Sequence, residues 1–488
     1  MRTVTQHSPQ AAEGVRTLHS RDFSFHGFDV PQVANRVAEA VEREIEIHSG
    51  EPRVSIVEGA VFVPDPPRKG GQGTCGLVGS QAGVPDADLD EEVVYLGWLF
   101  PNHFGHFLTE SLARTWFLEQ LDPSVRVVFH HKGRAQRPPE GWALRILELF
   151  GVPRDRILVL DAPTRVRRMF VPEPLFAPRS TAQDHKVRAH QEMIRPYRTV
   201  ASRIADAVKS SEQPVYLSRR LLSSGQRPIV GESELEGVLR ENGFRIAHPQ
   251  RMTIEDQIKL VNEHTDIFSS TGSAAHNVLF ALQSPRLHLL TNEDRFSPNF
   301  FLFSAIAGAP TTFVNCLGRG GRPRLSGAPK YTPQLVQTPK IVEYLDACGL
   351  LATRPALSAG REPALQDQYD EAWLYAQVAI AMNKRGETLQ REIEREALSL
   401  AAWSWPVSLA LAGYYARRHV TRVDSMAKQF AELAAAEVDL DRLAHYRADV
   451  DGEVSTVVKR CDPATAVLVA AVVSDRFLGR SLDSDAVS

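Results

Sequence analysis

Apolar and polar positions change their period several times along the chain, and the changes divide it. Residues 1 to about 90 read as a polar tail, an amphipathic helix near Gln32 to Ile47, a strand pair around Val54 to Val63 and a Gly-rich loop from Arg68 to Ser80. From Val93 to Pro172 the pattern is β/α. It predicts a helix over Asn102–Glu119, a strand at Val125–His130, a helix at Trp142–Phe150 and strands near Ile157–Leu160 and Met169–Val171. A long polar helix is predicted between His185 and Ser210. A more regular series follows: strands at Pro214–Ser218, Phe244–Ile246, Asp266–Ser269, Leu287–Leu290 and Thr312–Val314, and helices at Ser233–Glu241, Ile254–Glu263, Ala274–Ala281 and Phe300–Ala307. Ser233 with Glu236, and Thr253 with Asp256, have capping-box spacing, and Gly243 is placed to end a helix. Strand and helix alternation at these lengths predicts doubly wound parallel sheets. Beyond Ala352 the composition turns to Ala, Leu, Arg and Glu, which predicts helices through about Val473.

The expected organisation is therefore residues 1–90 leading into a first Rossmann-like domain at 91–185, a connecting helix at 186–211, a second Rossmann-like domain at 212–350, and an all-helical extension at 351–488. A chain of 488 residues, 43% of them hydrophobic, is long enough for two cores and an appendage. With 56 basic and 59 acidic residues, its formal charge of -3 supplies no field to recruit nucleic acid, so any anion site is local. The four cysteines, Cys75, Cys316, Cys348 and Cys461, form no CxxC pair, which fits a reducing, cytoplasmic setting. No basic region followed by an apolar run opens the chain. The stretches Trp405–Ala416 and Ala466–Val473 are too short to span a bilayer, a pattern compatible with a soluble or peripheral protein. The C-terminal helices offer a surface for oligomerisation.

The segment YLGWLFPNHFGHFLTESLARTW, Tyr95–Trp116, carries the clearest chemistry. At 100° per residue His103, His106, Glu110 and Arg114 share one stripe, opposite Phe104, Leu108, Leu112 and Trp116. Burying such groups costs free energy unless they are paired or used. The Arg68–Ser80 loop lacks the GxxxxGK[ST] order of a phosphate loop and reads as a plain loop. Ligands of doubly wound sheets sit beyond the carboxyl ends of strands, which directs attention to three places. Tyr216, Ser218, Arg219 and Arg220 end one strand, with Arg227 shortly after. Their guanidinium groups can hold phosphate, or can bridge to Glu232 or Glu234. The turn Ser269–Asn277 places Gly272, Ser273 and Asn277 between a buried strand and a helix start, where backbone amides approach anions and where small residues also serve packing. Glu293 follows a third strand, as a hydroxyl acceptor or a helix cap.

Taken in order, these pieces resemble glycosyltransferase family 61 over roughly Val54–Leu317. The matching elements are the helix NHFGHFLTESLAR, with His106 and Glu110; the YxSR strand end of Tyr216, Ser218 and Arg219, followed by Arg227 and Glu232; Asn242-Gly243-Phe244 with Asp256-Gln257; and Gly272 through Asn277. Ser273 replaces the usual alanine of that last turn, and Gly231 an asparagine that often precedes the acid. The resemblance implies an α/β, GT-B-like fold in which two Rossmann-like domains face a cleft, the first on the acceptor side. It also implies inverting, metal-independent transfer from a nucleotide sugar, with UDP as the expected carrier, and no cofactor. The acceptor expected is a glycan or lipid-linked glycan of surface polysaccharide synthesis.

On that reading His106 and Glu110 are the reacting pair, while Arg219, Arg227, Gly272, Ser273 and Asn277 hold the diphosphate. Glu232 and Glu293 face sugar or ribose, and Asn102, His103, Arg114, Tyr216 and Ser218 support. Two other readings stay open from the residues alone: a metal-dependent hydrolase using His103, His106 and Glu110, and a non-catalytic nucleotide- or glycan-binding protein.

Overall fold

The apolar run VVYLGWL forms the inner half of the longest strand, Ala87–Leu99, whose first half is charged and more exposed. The computed structural model describes residues 3–5, 14–28, 45–63, 85–101, 103–131, 139–177, 187–205, 210–222, 229–292, 297–325, 332–355, 361–383, 389–418, 422–436, 454 and 457–473. In it, Ala87–Leu99 is an interior strand of a six-stranded mixed sheet. The order is Thr3–Thr5, Val54–Glu58, Thr164–Pro172, Ala87–Leu99, Arg126–His131, with Val61–Phe62 also paired to Thr164–Pro172. Ala87–Leu99 runs parallel to both neighbours, and a strand covered in this way reads as continuous apolar sequence. Its register with Arg126–His131 shifts between Tyr95 and Trp98, where Gly97 adopts φ 94°.

The second series makes an all-parallel six-stranded sheet in the order Arg245–Ala247, Val215–Leu217, Asp266–Ser270, Arg286–Thr291, Thr311–Asn315, Ser24–His26. Counted along the chain from Val215, the first five strands run 2-1-3-4-5. The strand order therefore reverses between Val215–Leu217 and Asp266–Ser270, and such a switch point leaves a crevice beyond the strands' carboxyl ends. A smaller sheet orders Phe176–Ala177, Val187–His190, Ile45–His48 and Val15–Thr17.

Several elements depart from the sequence pattern. Val187–His190 is a strand paired in parallel with Ile45–His48, so the helix predicted between His185 and Ser210 starts only after a short 3-10 turn, and its described part is Ile194–Ala205. The same pairing makes the end of the stretch predicted helical over Gln32–Ile47 extended; its earlier part, like the Arg68–Ser80 loop, lies outside the described residues. Near Ile157–Leu160 only a bridge from Ile157 to Val127 forms. The Ser233–Glu236 box does not form, because Ser233 is already helical: Glu232–Glu241 starts from Gly231, whose φ of 84° makes the turn. Thr253 does cap Ile254–Glu263, its Oγ1 accepting from Asp256 N–H at 3.1 Å, and Gly243 adopts φ 81° after Glu232–Glu241.

The chain divides into two compact units, Met1–Leu217 with Gly243–Asn315, and Ser218–Asn242 with Cys316–Ser488. Both six-stranded sheets belong to the first unit and share one core, which includes Val94, Leu96, Phe107, Tyr197, Leu217, Ile258, Leu289 and Phe313. The second unit holds a three-stranded sheet of Ile229–Val230, Gln334–Val336 and Leu317–Gly318. Beyond residue 360 its described residues are mainly helical: Arg361–Asn383, Arg391–Ala401, Trp405–Arg418, Val423–Ala436 and Pro463–Val473. Tyr369, Trp373, Leu411 and Tyr414 are buried together there, each large side chain stabilising the unit by about 1.5–3 kcal/mol. Among the described residues no helix is long and apolar enough to cross a membrane.

Candidate functional site

The chain turns from the Ala87–Leu99 strand into the stretch predicted as one helix over Asn102–Glu119. It is instead a short α-helical turn at Phe104–His106, a π-helical turn at Phe107–Ser111 and a 3-10 segment at Thr115–Gln120. The wide turn is held from several sides. Thr109 Oγ1 donates to Gly105 O at 2.9 Å, Phe100 N–H donates to Ser111 Oγ at 3.0 Å, and the buried Tyr197 hydroxyl donates to Leu108 O. An extra residue per turn breaks the 100° phase that places Arg114 on the stripe. Arg114 is buried, its Nε donating to Pro172 O at 2.8 Å and its guanidinium lying 5.5 Å from the Tyr95 ring centre. Its role is in the fold.

His106 and Glu110 are brought together by the π turn: Nδ1 of the imidazole and Oε1 of the carboxylate are hydrogen-bonded. An ionised carboxylate can only accept, so Nδ1 carries a proton, and in the neutral ring Nε2 is then the lone pair. Nε2 has no hydrogen-bond partner among the described residues. Glu110 is 10% exposed and His106 34%, a buried anchor beneath a reachable ring. Phe100 stacks on one side of that ring at 5.5 Å. The His103 ring stands edge-on at 4.2 Å, and its Nδ1 accepts from His106 N–H at 3.3 Å. Although His103, His106 and Glu110 are neighbours in sequence, no three His, Cys, Asp or Glu side chains among the described residues are arranged to hold a metal ion.

The turn after Asp266–Ser270 lies at the switch point. Ser273–Phe280 is a 3-10 segment whose first amides have no partner inside it. The Gly272 amide itself is already donated to Ser270 O at 2.6 Å, so Ser273 and Ala274 carry the open N–H groups of this turn. Asn277 is buried, and its Nδ2 donates to Gln257 Oε1 at 2.8 Å. Gln257 Nε2 in turn donates to Pro249 O at 2.9 Å, which fixes both amides and makes Asn277 a packing anchor. Ser273 lies against the His106 helix: a Cβ built on Gly105 would stand 2.9 Å from Ser273 Oγ and 3.4 Å from His276 Cδ2.

His276 is a residue that sequence reasoning missed. It is 7% exposed, between Phe300 at 5.1 Å and Phe303 at 4.8 Å. Burial, reinforced by the charges of His106 and His103, pushes its pKa down to about 3, so the ring is neutral at any physiological pH. A histidine in the SAAHNVLF stretch was visible in the sequence. Its approach to Gly105, 171 positions earlier, was not.

The remaining predicted residues belong to the second unit, apart from buried Tyr216, or fall outside the described residues. In the second unit Glu232 is buried, accepts from Arg219 N–H at 2.7 Å and stands 3.3 Å from Ser218 Oγ, whose one proton goes to the nearer Glu236. Ser218 donates to Glu236 at 2.7 Å, and Arg220 Nε donates to Glu236 at 3.2 Å. These carboxylates hold the loop that bears Arg219, through its backbone amide and through the Arg220 guanidinium. Asn102, Arg227 and Glu293 lie outside the described residues.

An α/β fold with a strand-order switch point, and an imidazole–carboxylate pair in the same unit, has the parts of a group-transfer enzyme. Residues 104–286 match the family model described as Glycosyltransferase 61, a span that contains His106, Glu110, Arg219, Gly272, Ser273 and His276. The match covers less than half of the chain; it supports a glycosyltransferase family 61 assignment for that segment and, with it, a glycosyltransferase enzyme. No curated protein matches the chain.

Proposed function

We propose that this enzyme moves a sugar, with inversion and without a metal ion, from a nucleotide donor, UDP in the first instance, to a hydroxyl of a glycan or lipid-linked glycan. The observation that carries the reading is the His106–Glu110 pair, with a free Nε2 on a partly exposed ring. In a single displacement the acceptor oxygen attacks the anomeric carbon while the bond from that carbon to the diphosphate oxygen breaks. The electron pair leaves with the diphosphate, and the acceptor proton passes to His106 Nε2. Glu110 offsets the positive charge that develops on the ring. The open amides of Ser273 and Ala274 supply partial positive charge to the leaving group. The GT-B-like arrangement, with the acceptor on the His106 side, is part of this proposal.

Removing a general base costs about 10²- to 10⁴-fold in rate. His106→Ala and Glu110→Ala are each expected to lose at least that range of transfer from a panel of nucleotide sugars, with circular dichroism unchanged. The anomeric configuration of the product, read by NMR, tests inversion, and activity in excess chelator tests metal independence. Near-wild-type transfer by both variants would refute the base assignment.

A further inference from the structure

Beside the reacting pair stands an imidazole that the transfer mechanism does not use. His276 Nδ1 is enclosed and has no hydrogen-bond partner, while its neighbour Asn277 spends Nδ2 on Gln257. Nε2 is not among the enclosed orphan atoms, and no bond to it forms among the described residues. It is therefore the open end of a ring otherwise packed against Phe300 and Phe303. Proteins rarely bury an unpartnered N–H and more readily bury an unpartnered lone pair. The proton accordingly sits on Nε2, the reverse of His106. The Cδ2–Nε2 edge is also the edge that faces Gly105, which brings this donor to the helix that carries His106.

A ring that stays neutral brings no formal charge to a diphosphate, which charge-assisted donors hold more strongly. A neutral N–H donor with a packed body is suited to a neutral oxygen. We infer that His276 is a substrate-binding residue of the transferase site, its Nε2–H donating to a hydroxyl oxygen of a sugar substrate. This rests on the glycosyltransferase reading of the same site. The hydroxyl belongs to the donor sugar or to the acceptor glycan, and kinetics tell the two apart.

The test compares His276→Phe, His276→Gln and His276→Asn in steady-state transfer, with both substrates varied. Phenylalanine fills the same space and removes the orphan Nδ1, so the thermal midpoint of His276→Phe is expected to equal or exceed that of wild type. One neutral hydrogen bond is worth about tenfold in affinity. The KM for one substrate should accordingly rise about tenfold, with kcat within about threefold, as when uniform binding is lost. A rise confined to the nucleotide sugar assigns the hydroxyl to the donor, and one confined to the acceptor assigns it there. Glutamine places an amide N–H near the position of Nε2, asparagine near that of Nδ1; His276→Gln should recover most of the loss and His276→Asn should not. Folded His276→Phe with unchanged KM values overturns the inference, as do Gln and Asn variants of equal activity if the Phe variant does not fold. A wild-type enzyme that transfers from no nucleotide sugar instead overturns the transferase reading on which it rests.

Discussion

Replacing Gly97 by alanine tests how the strand before the site is held. Gly97 lies where the register of Ala87–Leu99 shifts, with φ 94°, a conformation that costs an L-residue about 1–2 kcal/mol. A Cβ there would also stand 2.6 Å from Arg114 Nη1, so the guanidinium has to move. Arg114 is buried, and moving it breaks the 2.8 Å bond from Nε to Pro172 O and the contact with Tyr95. Leaving a buried carbonyl without its donor costs roughly 1–3 kcal/mol. Gly97→Ala is therefore expected to destabilise the protein by roughly 3 kcal/mol, about half from φ and half from Arg114. Urea unfolding of Gly97→Ala, Arg114→Ala and the double variant separates the parts. With the guanidinium gone, adding Gly97→Ala should cost only the φ part, so the double variant loses about 1.5 kcal/mol less than the sum of the singles. Single effects that add to within about 0.5 kcal/mol would refute the steric coupling.

Three further outcomes follow from other parts of the first unit. Tyr197→Phe removes the donor to Leu108 O in the π turn and should cost about 1–2 kcal/mol in urea unfolding; a change below about 0.3 kcal/mol would show the hydroxyl does not hold the turn. Burial raises the Asp266 carboxyl, but hydrogen bonds from His288 and Arg286 outweigh it and hold the group well below the ordinary carboxylate range. Its contribution is thus complete above an unfolded value of about 4 and fades as pH falls below that, so Asp266→Asn should cost about 2 kcal/mol at pH 7 and progressively less from pH 4 to 2. A difference that does not change with pH over that window would contradict the assignment. His276 takes up its proton more readily unfolded than folded, so it draws stability down as pH falls from about 6.5 towards 3, by up to about 1.4 kcal/mol per pH unit. His276→Phe should show a shallower decline over that interval, and an unaltered slope would mean that the ring already titrates as it does in the unfolded chain.

Much of the architecture was determined by the sequence alone, because the parallel sheet is written in local terms. Buried strands such as Asp266–Ser270 and Arg286–Thr291 need apolar runs, their helices need caps such as Thr253, and each helix end needs a residue such as Gly243 that accepts a left-handed turn. The i, i+4 pairing of His106 with Glu110 was legible for the same reason, since both lie within one turn. Tertiary structure decided what depends on partners far along the chain. Ile45–His48 and Val187–His190 are extended because they pair with each other across more than 130 residues, a gain that outweighs helix propensity. The π turn, held from Tyr197 and Phe100, sends Arg114 to Pro172 instead of to the chemical face. His276 joins the site only because Gly105 has no side chain to hold the two segments apart. Local pattern specifies which residues can form an element; whether a polar side chain in it is packed, paired or left open is settled by the distant atoms it meets.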